Sequence, residues 1–104
     1  MRPLRIGRDK DVFIDVEQIV AVGQISSIFM KNSHLDYNCP CISVKFTLNS
    51  GITLLVLNDD TDLASFNEVK DETKKVRNQI ILAMTDQSIK HIDTPYSVTF
   101  VESK

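Results

Sequence analysis

Hydrophobic and polar positions change period several times along the chain, and each change predicts an element. Val12, Ile14 and Val16 alternate with Phe13, Asp15 and Glu17, and Val20 and Val22 resume the alternation after Ile19. A period of two sends one set of side chains to a core face. It predicts a strand, an irregularity at Glu17 and Gln18, and a second extended stretch. Gly23 and the Ser26-Ser27 pair interrupt that stretch and predict a bend or bulge before Ile28 and Phe29.

Between Met30 and Cys41 the period disappears, and Lys31, Asn32, Ser33, Asp36, Asn38 and Pro40 are residue types that favour loops. The alternation returns with Ile42, Val44, Phe46 and Leu48 against Ser43, Lys45 and Thr47. Asn49-Ser50-Gly51 then reads as a three-residue hairpin loop, with glycine where the backbone needs a positive φ. The returning strand, residues 52–57, is almost wholly apolar, as expected of a central strand covered on both faces.

After Asn58, Asp59, Asp60 and Asp62 the period lengthens. Ser65 and Glu68 have the spacing of a capping box, and Phe66, Val69, Thr73, Val76, Ile80 and Met84 recur every three or four residues. This predicts one helix over residues 65–84 with Lys70, Asp71, Lys74, Lys75 and Asn78 on its solvent face. A short edge segment at residues 89–92 and a last strand at residues 96–101 complete the order β-β-β-β-α-β. The fold class expected is α+β: a small antiparallel sheet of about five strands, covered on one face by one long amphipathic helix.

Composition narrows the reading without giving it a function. At 104 residues the chain suits a single domain over residues 1–104, with residues 1–10 as a flexible arm. That arm carries Arg2, Arg5, Arg8 and Lys10, yet the formal net charge is -2, so nucleic-acid binding is not expected. No apolar run reaches the roughly 20 residues of a membrane span and no secretory leader is visible, so a cytoplasmic protein with no membrane partner is expected. Cys39 and Cys41 flank Pro40 at a spacing that would strain a disulfide, which fits two free thiols in a reducing compartment.

The layout of a strand and an Ile-centred turn (Val16 to Ile19), a hairpin closed by Asn49-Ser50-Gly51 and a helix begun by acidic residues resembles the small bacterial FlbD-type flagellar-associated family. It also resembles similar short bacterial or phage proteins of unassigned role. The long stretch from Met30 to Cys41 and the tail after Met84 depart from so short a family, and no functional residue is carried over from it.

Candidate chemistry gathers in the stretch from Phe29 to Cys41. His34, Asp36, Cys39 and Cys41 are all zinc-ligand types, but Cys-Pro-Cys is not the Cys-x2-Cys knuckle that wraps a tetrahedral ion, so a zinc-binding loop is an alternative only. No catalytic motif is present, and neither enzymatic activity nor a cofactor is expected. Phe29, Met30, Leu35 and Tyr37 are residue types enriched in protein interfaces.

The sequence therefore reads as a non-catalytic protein-interaction module: an adaptor, a structural subunit or an inhibitor encoded by a mobile element. It would bind another protein through the 29–41 loop or the exposed sheet face, and homo-oligomerisation is also expected of so small a sheet. The alternative is a small-molecule or nucleotide binder with a pocket between protomers, using Arg5, Lys31, His34 and Tyr37.

Overall fold

The computed structural model describes residues 2–7, 12–31, 38–58 and 66–103; within these, side chains are described outside residues 27–31, 38–42, 58, 66, 97, 102 and 103. The strands are β1 (Pro3–Ile6), β2 (Val12–Asp15), β3 (Ile19–Lys31), β4 (Asn38–Leu48), β5 (Gly51–Asn58), β6 (His91–Ile92) and β7 (Ser97–Ser103). A 3-10 turn, Val16–Gln18, joins β2 to β3, and one helix, α1 (Phe66–Thr85), lies between β5 and β6. The class is α+β, as the periodicity predicts, but the strands form two sheets. One is antiparallel throughout, in the order β3-β4-β5-β7; the other is β2-β1-β6, with β1 antiparallel to β2 and parallel to β6.

The helix packs across β4 and β5 and reaches β3, β6 and the 3-10 turn. Its face of Thr73, Val76, Ile80 and Ala83 is fully buried, with Val69 and Met84 half-buried beside it. Opposite lie Val44 and Phe46 of β4 and Leu55 and Leu57 of β5, residues of one pleat face. Leu4, Ile6, Ile14, Val16, Ile92 and Val98 extend the same core to the smaller sheet. Thr73 is the polar member of the helix stripe, and its hydroxyl donates to the Val69 carbonyl one turn back at 2.7 Å. The capping residue Ser65 lies outside the described residues.

Residues 3–6 are not a loose arm. Leu4 and Ile6 alternate with Pro3 and Arg5 and are each 1% exposed, and the strand is stitched to β6 by Gly7 N–H donating to the Ile92 carbonyl at 3.0 Å. The flanking charges hide a period of two that is only four residues long. Asp15 anchors the strand's start: one of its carboxylate oxygens accepts from the Arg2 N–H at 3.0 Å and from the Glu17 N–H at 3.1 Å. The Arg2 N–H above all, and then the Glu17 N–H, hold the Asp15 carboxyl below the usual aspartate value.

The expected hairpin is present, with β5 central between β4 and β7. Its loop is shorter than read, because Leu48 pairs with Gly51 and leaves Asn49 and Ser50 as the turn. Gly51 has φ +143°. The turn is tied to the 3-10 segment, where Asn49 N–H donates to the Gln18 carbonyl at 3.0 Å and the Asn49 side-chain amide donates to Gln18 Oε1 at 3.1 Å.

The stretch from Met30 to Cys41 is not a single long loop. Phe29, Met30 and Lys31 continue β3, opposite Pro40, Cys39 and Asn38 of β4. The β4–β5 pairing covers only Ser43 to Leu48 of β4, so residues 27–31 and 38–42 form a two-stranded ribbon running on past β5. Pro40, unable to donate to a ladder, is tolerated there because, among the described residues, that part of β4 pairs with β3 alone.

Candidate functional site

The feature that organises the candidate site is a bulge in β3. Val22 pairs with Phe46 and Ile25 with Val44, leaving Gly23 and Gln24 together opposite Lys45. A side chain at position 23 would be crowded, since a Cβ there would meet the Lys45 carbonyl oxygen at 3.1 Å and Lys45 Cβ at 3.2 Å. Arg77 of α1 straps the bulge to the helix, its Nε–H donating to the Gly23 carbonyl at 2.9 Å.

Beside this strap an open groove of about 460 Å³ runs between helix and strand, lined by Gln24 and Ile25 of β3 and Lys70, Lys74, Arg77 and Asn78 of α1. The volume falls within the usual range of ligand sites. The four helix residues are spaced i, i+4, i+7 and i+8, and so share one face over about 12 Å of axis. Lys70, Lys74 and Asn78 are exposed; Arg77, Gln24 and Ile25 divide between half-buried and exposed, with Arg77 and Ile25 half-buried.

Three of these six residues are cationic and none is acidic, in a chain whose net charge is -2. Lys70 and Lys74 form a like-charge i,i+4 pair, mildly unfavourable for an isolated helix. Among the described residues neither lysine makes an ion pair. An anion placed between them would relieve that repulsion, while the Gln24 and Asn78 amides offer hydrogen-bond donors and acceptors alongside.

None of the residues singled out from sequence is among the described residues that line this groove. Phe29, Met30 and Lys31 lie on the β3 half of the ribbon and Cys39 and Cys41 on the β4 half, at positions opposite Met30 and Ile28. His34, Leu35, Asp36 and Tyr37 lie outside the described residues, and with them two members of the zinc-ligand set His34, Asp36, Cys39 and Cys41. Among the described residues no group of three or more His, Cys, Asp or Glu side chains is placed to hold a metal ion. Arg5 stands on the smaller sheet, between Phe13 of β2 and His91 of β6 in the pairing register, and is not gathered with Lys31.

The large sheet's face turned away from α1 is mixed. Ser43 and Val56 are fully buried, Ile52, Leu54 and Val101 half-buried, and Lys45 and Thr99 exposed. The buried Ser43 hydroxyl lies 3.3 Å from Ser26 Oγ and also donates to the Ser26 carbonyl at 3.4 Å.

Reading the helix as core stripe against solvent face passes over the groove. Lys70, Lys74 and Asn78 fall on that solvent face, whereas Arg77 and Gln24 draw no notice at all. The available signal is that positions 70, 74, 77 and 78 share a face without a carboxylate among them. What makes this face a groove wall is the bulge at Gly23, which sets strand against helix. No helix among the described residues is long and apolar enough to cross a membrane. The chain matches no protein-family model, no curated protein and no solved structure.

Proposed function

We propose that this chain is a non-catalytic interaction module that takes an acidic segment of a partner protein in the groove between α1 and β3. The observation that carries this reading is the set Lys70, Lys74 and Arg77 on one wall, without an acidic residue among the described residues of the lining. The reading keeps the interaction role expected from the sequence and moves its surface from the 29–41 stretch to the helix. A polynucleotide suits the groove less well: among the described residues no aromatic side chain lines it for base stacking, and the overall charge is negative.

The test is charge reversal at exposed positions. Lys70→Glu with Lys74→Glu should abolish capture of an acidic probe, poly-glutamate on a biosensor surface, and leave the melting temperature close to the parent's. Parental binding should weaken steeply with added salt, since exposed charges are screened within about 10 Å at 0.1 M ionic strength. Undiminished binding by the double variant would remove the groove from the proposal.

A further inference from the structure

The spacing of the cations along the groove restricts the form of the acidic segment, and this step rests on the function proposed above. The groove is open to solvent, and its helix wall, Lys70 to Asn78, spans roughly 12 Å of axis.

An extended chain presents alternate side chains to the same side about 6.6–6.8 Å apart, and its neighbouring side chains to the other. On the helix wall, Lys70 and Lys74 are separated by about 6 Å along the axis, and Arg77 with Asn78 stands about 4.5–6 Å further on. The first spacing agrees within about 1 Å, and the long, flexible lysine and arginine side chains take up the roughly 1–3 Å by which the third position falls short. Adjacent acids do not match, because every second carboxylate would turn away from the cations.

The opposite wall is set by the bulge and presents Gln24 and Ile25. Side chains between the acids face that wall, and the half-buried Ile25 gives it an apolar contact. Strand addition to β3 is a poor substitute at this place. The bulge disrupts the regular ladder edge, and Arg77 already occupies the Gly23 carbonyl. We infer that the groove recognises an extended segment of alternating acidic and apolar residues, read by Lys70, Lys74 and Arg77 on one side and Ile25 on the other.

Two fluorescently labelled, capped peptides of identical composition test this, one containing Glu-Leu-Glu-Leu-Glu and the other Glu-Glu-Glu-Leu-Leu. Binding to the full chain is followed by anisotropy at low salt. The second peptide keeps two acids on one side where the first has three, and an exposed ion pair contributes up to about 1 kcal/mol, so the alternating peptide should bind more tightly by up to about fivefold. Lys74→Glu should reduce that preference to near parity.

Equal affinity of the two peptides, both lost in the Lys70→Glu, Lys74→Glu variant, would overturn the spacing rule and leave the acidic-partner reading standing. Binding of neither peptide, together with no capture of poly-glutamate, would overturn both. An Ile25→Ser variant that keeps the full preference would remove the apolar contact and confine recognition to the helix wall.

Discussion

Arg77 is where the fold and the proposed site meet, and replacing it gives the most direct test of the geometry. Methionine at position 77 keeps much of the aliphatic stem's bulk while removing the guanidinium that donates to the Gly23 carbonyl at 2.9 Å. Hydrogen bonds to charged groups contribute about 1.5–3 kcal/mol when well shielded. Arg77 is only half-buried, so water can partly replace the lost donor, and a loss of about 1–1.5 kcal/mol is expected. In a domain of this size each kcal/mol corresponds to about 4–8 °C, which puts the expected fall in melting temperature at roughly 5–10 °C. Urea titration should show a lower midpoint with an unchanged slope, because the surface exposed on unfolding is the same. Lys74→Met is the control: its side chain is exposed and makes no ion pair among the described residues, so it should stay within about 0.5 kcal/mol of the parent. If Arg77→Met melts within 2 °C of the parent, by about the same margin as the control, the strap between helix and bulge contributes nothing and the reasoning fails.

Two further outcomes follow from the backbone and its anchors. Gly51→Val should destabilise the domain by about 1 kcal/mol or more in thermal or urea melts. Gly51 has φ +143° and nothing within 4 Å of a Cβ, so the loss would come from backbone conformation alone, and a parental melting temperature would contradict the turn. Asp15 titrates lower in the fold than in the unfolded chain, so its contribution to stability is present above the ordinary aspartate value of 3.8 and is lost as pH falls through the folded value. The melting-temperature gap between the parent and Asp15→Asn should accordingly be widest near neutral pH and shrink below about pH 4; a gap unchanged down to pH 2.5 would refute the anchor.

Much of the scaffold is legible in the sequence because its signals are local. The β4–β5 hairpin is announced by a strict alternation and a glycine, and α1 by a stripe repeated over five turns, with observed bounds Phe66–Thr85 against an expected 65–84. The interruption read at Gly23 is the bulge. What escapes is set by partners distant in sequence. β1 has two core residues, Leu4 and Ile6, and becomes a strand by pairing with β2 on one side and with β6, more than 80 residues on, on the other. Residues 38–41 carry loop-forming types yet pair with the end of β3, where β5 makes no pairing among the described residues and no donor is demanded of Pro40. The groove is the least legible of all, since its two walls are about 50 residues apart and neither is unusual alone.

Helix α1 presents a core stripe and a groove wall on adjoining faces, and the bulge bears on both. Thr73, Val76, Ile80 and Ala83 fix the helix on β4 and β5, and that placement sets where residues 70, 74, 77 and 78 stand relative to β3. A regular β3 would have one residue, not two, opposite Lys45, and its edge would run past the helix without turning the Gly23 carbonyl to Arg77. With the extra residue, the strand twists more strongly and its unpaired edge is broken at that point. Arg77 then satisfies the displaced carbonyl with one nitrogen and leaves the rest of its guanidinium on the groove wall beside Lys74. An insertion in the ladder is thereby converted into a walled cleft lined by Lys70, Lys74 and Arg77, with the core holding one wall and a glycine the other.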